Sequence, residues 1–230
     1  MNKEIVVITG GTSGLGLCLV EKLIEKGYYV CNIARNKEKL EELNKMYPDN
    51  HQGFIGNITD EEFIKKTVED ISNLGDIKYL INNAQTAIFK EPTMYEKKDI
   101  SIALEGLEGM ISLTTNVLKM KKEEDLKIIN IMSSAALKGA KNEALYCAVK
   151  WGERGYTESL KVAYKNTSVK VIGVYPGGMN TNFWNNSRDY VSEDKANTFM
   201  KAEDVAEIII SNVFNDINLT VSDLIIERNS

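Results

Sequence analysis

Tyr146 and Lys150 stand four residues apart in the run Leu145-Tyr146-Cys147-Ala148-Val149-Lys150, and Ser133 lies upstream at the end of an apolar run. At i and i+4 of a helix, a phenol and an ammonium share one face, one turn apart. A free phenol keeps its proton to about pH 10. A neighbouring ammonium favours the phenolate and draws that value towards neutrality. Such a pair can exchange a proton with a carbonyl or alcohol oxygen, while the Ser133 hydroxyl donates to the same oxygen and orients it. Its neighbour Ser134 offers the same group. An amphipathic helix whose lysine stem lies along apolar surface is the plainer source of the Tyr-x-x-x-Lys spacing.

A second segment supplies a place for a redox partner. Thr9-Gly10-Gly11-Thr12-Ser13-Gly14-Leu15-Gly16 follows the first apolar run directly and opens a helical stretch. Gly10 permits a tight turn, Gly14 lets backbone amides approach a pyrophosphate, and Gly16 allows close packing of helix on sheet. The helix N-terminus beyond it presents N–H donors and a partial positive charge to phosphates, with Thr12 and Ser13 adding hydroxyls. Three glycines in this context point to dinucleotide binding, where one or two would mark only a turn.

The elements that must position these groups alternate along the chain. Residues 5–8, 28–33, 53–58, 79–81, 127–132, 169–174 and 219–226 read as short, β-branched strands that are apolar on both faces. Between them, residues 15–26, 37–46, 100–120, 146–164 and 202–214 read as helices. Asn36 is expected to cap the second of these, and Thr59-Asp60-Glu61-Glu62 reads as a capping box before another, carrying Phe63, Ile64, Val68 and Ile71. This alternation implies an α/β fold: a Rossmann-like doubly wound parallel sheet of about seven strands with helices on both faces, binding ligands beyond the carboxyl ends of its strands. One domain over residues 1–230 is expected, since no linker, repeat or low-complexity tract divides the chain. Residues 176–198, with Phe183 and Trp184, form the longest irregular stretch and read as a substrate lid or, alternatively, a packed surface excursion.

Composition narrows the function classes. A net charge of −5 argues against a non-specific grip on nucleic acid. No apolar stretch is long enough to span a bilayer, and Met1-Asn2-Lys3-Glu4 leads straight into Ile5 without a signal-peptide core, so a cytoplasmic location is expected. Cys18, Cys31 and Cys147 read as buried free thiols, and His51, the sole histidine, sits by a turn next to Pro48; no zinc site is expected from this set.

Taken together, the leading Thr with Gly-x-x-x-Gly-x-Gly, Asn82-Asn83-Ala84, Ser133, Tyr146-x-x-x-Lys150 and Pro176-Gly177-x-x-x-Thr181 resemble the short-chain dehydrogenase/reductase family over nearly the whole chain. The resemblance implies hydride transfer between a nicotinamide cofactor and a carbonyl/alcohol pair. It gives Tyr146 the acid/base role, Ser133 the orienting role, and Lys150 the nicotinamide ribose and a proton relay. It also implies cofactor contacts from Asn57-Ile58 to the adenine, from Asn83 and Ala84 along the cleft, and from Pro176, Gly177, the Met179 backbone and the Thr181 hydroxyl to the carboxamide. NAD-preferring members usually carry Asp where this chain has Ala34; the next residue, Arg35, is suited to clamp a 2′-phosphate, so NADP(H) is expected over NAD(H). Arg35 as a solvated start to the following helix is the alternative.

Three positions depart from the family pattern. Gln85 replaces the glycine that usually completes Asn-Asn-Ala-Gly, Ala136 replaces a frequent glycine, and neither Glu105 nor Gly106 is the asparagine that usually anchors a relay water. A cofactor-binding sensor or scaffold with little chemistry is therefore the competing reading, whereas an epimerase or dehydratase would need a larger C-terminal domain. Leu137, Leu145, Phe89, Met179, Phe183 and Trp184 suggest an apolar wall for a small carbonyl or alcohol, and a homodimer through the long helices is the expected assembly.

Overall fold

The computed structural model describes residues 3–121, 124–187, 190–215 and 219–229. Six parallel strands run in chain order as β1 (Glu4–Thr9), β2 (Tyr29–Ala34), β3 (His51–Ile55), β4 (Asp76–Asn82), β5 (Leu126–Ile131) and β6 (Val169–Pro176). A short pair, β7 (Met179–Asn180) and β8 (Met200–Lys201), precedes the final strand, β9 (Asp223–Ile226). The helices are α1 (Gly14–Glu25), α2 (Lys37–Met46), α3 (Glu61–Leu74), α4 (Lys97–Lys121), α5 (Ala144–Ala163), α6 (Glu193–Ala196) and α7 (Ala202–Val213).

The main sheet has seven strands in the order β3-β2-β1-β4-β5-β6-β9, every neighbouring pair parallel. The expected doubly wound architecture is the one observed. Its cause lies in the strand residues. Along β1, Val6 and Ile8 enter one core with Leu19, Leu23, Ile209 and Ile210 of α1 and α7. Ile5 and Val7 enter the other, with Ile64, Leu113 and Val117 of α3 and α4. A strand that alternates between two dry cores needs apolar residues at every position, and only a sheet covered on both faces provides that. Because β1 lies between β2 and β4, the chain leaves it in opposite directions, and a crevice opens beyond its carboxyl end.

Local chemistry sets the ends of the elements and corrects several expectations. The Asn36 side chain caps α2 by accepting from the Lys39 N–H at 2.9 Å, as expected. For α3 the cap is Asp60, accepting from the Phe63 N–H at 3.0 Å, one residue later than the capping box starting at Thr59. β3 stops at Ile55, so Asn57 and Ile58 lie in the turn after it rather than at its end. The Phe63 ring sits where a side chain at Gly56 would be, and the chain turns there. Of residues 219–226, only Asp223–Ile226 pair with the sheet.

His51 is not a turn residue. It opens β3 and is 2% exposed. Its Nδ1 meets Asn44 Oδ1 at 2.7 Å and its Nε2 faces the Asn32 amide nitrogen at 3.4 Å. Cys31 and Cys147 are buried as expected, whereas Cys18 is half-buried. The stretch 176–198 is largely ordered by β7, a 3-10 segment at Asn182–Ser187, and α6; residues 188 and 189 lie outside the described residues.

Candidate active site

All the strands that carry site residues deliver them to the same edge of the sheet. β1 ends at Thr9, and Gly10 adopts φ 70°, a left-handed conformation that suits glycine. A Cβ on Gly16 would stand 2.3 Å from the Gly10 carbonyl oxygen, so α1 and the turn pack to a distance no other residue allows. Two side chains hold this turn: Thr9, the leading residue of the motif, and Asn32, overlooked in the sequence. The Thr9 hydroxyl accepts from the N–H groups of Asn83 and Ala84, each at 3.0 Å. Asn32, buried in β2, clasps Gly11 by accepting from its N–H and donating to its carbonyl, both at 3.1 Å. A lone amide in the apolar run Tyr29-Val30-Cys31-Asn32-Ile33-Ala34 was the available signal. Asn83 adds side-chain donations to the carbonyls of Thr9 and Gly10 at 3.0 and 3.3 Å.

The turn is suited to an anion. Ser13 precedes α1 without capping it through its side chain, and no acidic residue occupies the first turn. The N–H groups of Gly14, Leu15 and Gly16 therefore face the crevice beside an exposed hydroxyl, with Thr12 half-buried next to it. Thr181 closes over this point: a Cβ on Gly14 would lie 3.4 Å from the Thr181 side chain. Arg35 follows β2 with a 70% exposed side chain, tethered only loosely to Glu105 at 3.8 Å. No carboxylate stands at Ala34 to repel a phosphate. These residues fit a phosphorylated dinucleotide. Asn57 accepts from the Thr59 N–H through its side chain, and Ile58 packs against Gly109 of α4. Pro176 ends β6, and the Gly177 N–H donates to Ile226 at 2.8 Å. The Met179 carbonyl accepts from the Trp184 indole at 2.8 Å.

Ser133, Tyr146 and Lys150 come together. Ser133 caps the short 3-10 turn Ser134–Ala136 by accepting from the Ala135 N–H, and its hydroxyl also hydrogen bonds to the Tyr146 phenol. Lys150 Nζ lies 5.8 Å from the centre of the Tyr146 ring. Burial pushes the phenol up from its ordinary value, and the Ser133 bond opposes it only in part. The expected acidification by Lys150 is thus corrected. Lys150 is buried and pairs with Glu153 at 2.8 Å, and both side chains are almost fully enclosed. Burial raises the Glu153 carboxyl, and the Lys150 ammonium works against that rise. Glu153 was missed in the sequence, although a carboxylate seven residues after Tyr146 stands on the same buried stripe of α5.

An aromatic group surrounds the phenol. Phe89 packs edge-on to Tyr146 at 5.3 Å and stacks on Trp184 and Tyr190 at 5.3 and 4.9 Å; Phe183 lies 6.1 Å from Tyr146. The expected apolar wall is narrower on two sides. Leu137 packs with Met132, Ala136 and Tyr175, and Met179 joins the main core. Among the described residues, no cluster of metal-ligating side chains occurs, and no helix is long and apolar enough to cross a membrane.

Known proteins share this fold and much of this sequence. Residues 4–192 match the profile of the family described as short chain dehydrogenase. A 3-oxoacyl-[acyl-carrier-protein] reductase, FabG of Haemophilus influenzae, is 32% identical over 179 residues, covering 75% of this chain and 73% of that protein. The 3-ketodihydrosphingosine reductase of Bacteroides thetaiotaomicron is 28% identical over 214 residues, 90% of this chain and 77% of that protein. Among solved structures, a short-chain dehydrogenase/reductase from Vibrio parahaemolyticus superposes with a TM-score of 0.87 at 29% identity, over 98% of this chain and 100% of that one. ElxO with NADP bound superposes with the same score at 26% identity, over 98% and 97%. With its seven-stranded sheet, its glycine turn and a profile match over most of its length, the chain belongs to the short-chain dehydrogenase/reductase family of oxidoreductases.

Proposed function

We propose that this protein is an NADP(H)-dependent carbonyl reductase acting on a small, apolar substrate, with Tyr146 as the acid/base, Ser133 as the orienting donor and Lys150 as the cation beside them. The hydrogen bond between the Ser133 hydroxyl and the Tyr146 phenol, a turn from Lys150 and at the same sheet edge as the glycine turn, carries this reading. When bound, NADPH supplies the hydride. The N–H groups of Gly14, Leu15 and Gly16, with Thr12 and Ser13, would hold its pyrophosphate. Asn57 and Ile58 would flank its adenine, Asn83 and Ala84 its ribose side, and Pro176, Gly177, Met179 and Thr181 its carboxamide end. Arg35 would grip the 2′-phosphate, and ElxO, one of the similar structures, carries NADP.

Each remaining step belongs to the protein. Ser133 donates to the substrate oxygen and fixes its position. Tyr146 gives that oxygen its proton as charge develops there; a phenol kept protonated by burial is in the form that reduction requires. Phe89, Phe183 and Trp184 exclude water and offer flat apolar contact, with residues 176–198 acting as the lid. A cytoplasmic homodimer completes the reading. Exposed Ile111 on α4 and Trp151 on α5 support packing through the long helices.

NADPH consumption followed by absorbance across aldehydes, ketones and diketones tests the proposal. Turnover with an apolar carbonyl is expected. Tight NADPH binding with no turnover across a broad panel would replace the enzyme by a cofactor-binding sensor.

A further inference from the structure

The pair formed by Lys150 and Glu153 is unusual in its setting. Both side chains are nearly inaccessible, 2.8 Å apart on one helix, and Lys150 also donates to the Ile131 carbonyl at 3.4 Å. An ammonium held 5.8 Å from a phenol ring would pull the phenol towards its anion, but an ammonium already joined to a carboxylate presents little net charge. Glu153 borders a small cavity of about 10 Å³ whose other walls are Thr9, Ile58, Asn82, Ala84, Gly106, Met110 and Ile131, all uncharged. That volume suits one water. The Asn82 carbonyl oxygen, buried and without a partner, would receive a hydrogen from it, since both amide hydrogens of Asn82 are already given to Thr114 and Asn130.

We propose that Glu153 is a positioning residue for the proton chemistry: by neutralising Lys150 within the helix, it keeps Tyr146 in its acid form through neutral and mildly alkaline pH. This rests on the reading of Tyr146 as the proton donor. Glu143, at the N-cap of α5, and the Cys147 thiol act on the phenol in the same direction, each less than Glu153 does, and Glu143 is also engaged with the Tyr190 hydroxyl at 2.7 Å. From outside the helix come the Ser133 hydroxyl and the rings of Phe89 and Phe183. Removing the Glu153 charge would leave the ammonium unopposed, so the phenol would release its proton more easily.

Protein carrying ring-oxygen-site [ζ-13C]tyrosine, titrated by NMR and assigned through Tyr146→Phe, reads this directly without a substrate. The wild-type Tyr146 signal is expected to stay in its protonated position past the pH at which exposed tyrosines titrate. In Glu153→Gln the midpoint should fall by at least about one pH unit. Glu153→Met, similar in volume and also uncharged, should reproduce the fall, and Glu153→Asp should hold the signal near wild type. A Glu153→Gln or Glu153→Met midpoint equal to that of wild type overturns the proposal. Loss of the catalytic reading appears separately, as wild-type protein that binds NADPH and reduces no carbonyl.

Discussion

Replacing Arg35 by alanine should separate the two nicotinamide cofactors. The guanidinium is 70% exposed at the end of β2, and its ion pair with Glu105 at 3.8 Å is a surface contact. Such pairs contribute about 0–1 kcal/mol. A charge-assisted hydrogen bond from Arg to phosphate contributes about 1.5–3 kcal/mol. Giving up Glu105 to reach the phosphate leaves a net gain of about 1–2 kcal/mol, equivalent to roughly 5–30-fold in affinity. Arg35→Ala should therefore raise the Kd for NADPH by that factor and leave the Kd for NADH within about twofold, since NADH has no phosphate for Arg35 to hold. Glu105→Gln should act in the opposite sense, tightening NADPH by about two- to fivefold by freeing the guanidinium. Titration of intrinsic fluorescence with each cofactor gives these constants. Equal weakening of NADPH and NADH in Arg35→Ala would refute the phosphate assignment and reduce Arg35 to a solvated side chain at the start of α2.

Other expectations follow from local chemistry. Burial lowers the His51 pKa to about 4 in the folded protein, against about 6.5 in an unfolded chain. His51 therefore adds stability that is fully present above pH 6.5 and is lost as pH falls towards 4, about 3 kcal/mol across that window; the acid slope in urea melts should flatten in His51→Gln. Gly106→Ala would place a methyl carbon 1.6 Å from the Gln85 side-chain oxygen, displacing an amide that donates to the Thr86 and Ala103 carbonyls. Thermal melts should show a loss of about 1–3 kcal/mol, recovered when Gln85→Ala is added. Asp60→Ala should cost about 1 kcal/mol by loss of the α3 cap, with Thr59→Ala nearly neutral.

The backbone and the glycine turn were legible because each rests on a local pattern. A strand flanked by two cores needs apolar residues on both faces, and β1, β5 and β6 are rich in Ile and Val. The meeting of Ser133, Tyr146 and Lys150 followed from helix spacing and the end of β5. What escaped was set by packing between distant segments. Asn32 looks like a polar interruption until Gly11 is laid against it. The choice of Asp60 over Thr59 as cap depends on where the chain leaves β3, which the Phe63 ring against Gly56 decides. The state of Tyr146 was misjudged for a similar reason. Spacing shows an ammonium one turn away, but only the folded interior shows that Glu153 has already engaged it and that burial outweighs it.

The Gln85 and Gly106 departures also belong together in space. The missing Cβ of Gly106 makes room for the Gln85 carbonyl, so an amide stands beside the cleft from the loop after β4 instead of from α4. Its oxygen is buried without a partner, and its two amide hydrogens are spent on backbone carbonyls. Neither substitution touches the Ser133–Tyr146 hydrogen bond, which explains how the reaction centre keeps its form while its flank changes.

Single-turnover stopped flow with bound NADPH and an accepted carbonyl, comparing wild type with Tyr146→Phe, tests the acid/base role most directly. Cofactor affinity should be nearly unchanged and the hydride-transfer phase reduced by at least about 100-fold, the usual scale of a general acid. A Tyr146→Phe protein that oxidises NADPH at the wild-type rate would contradict the account.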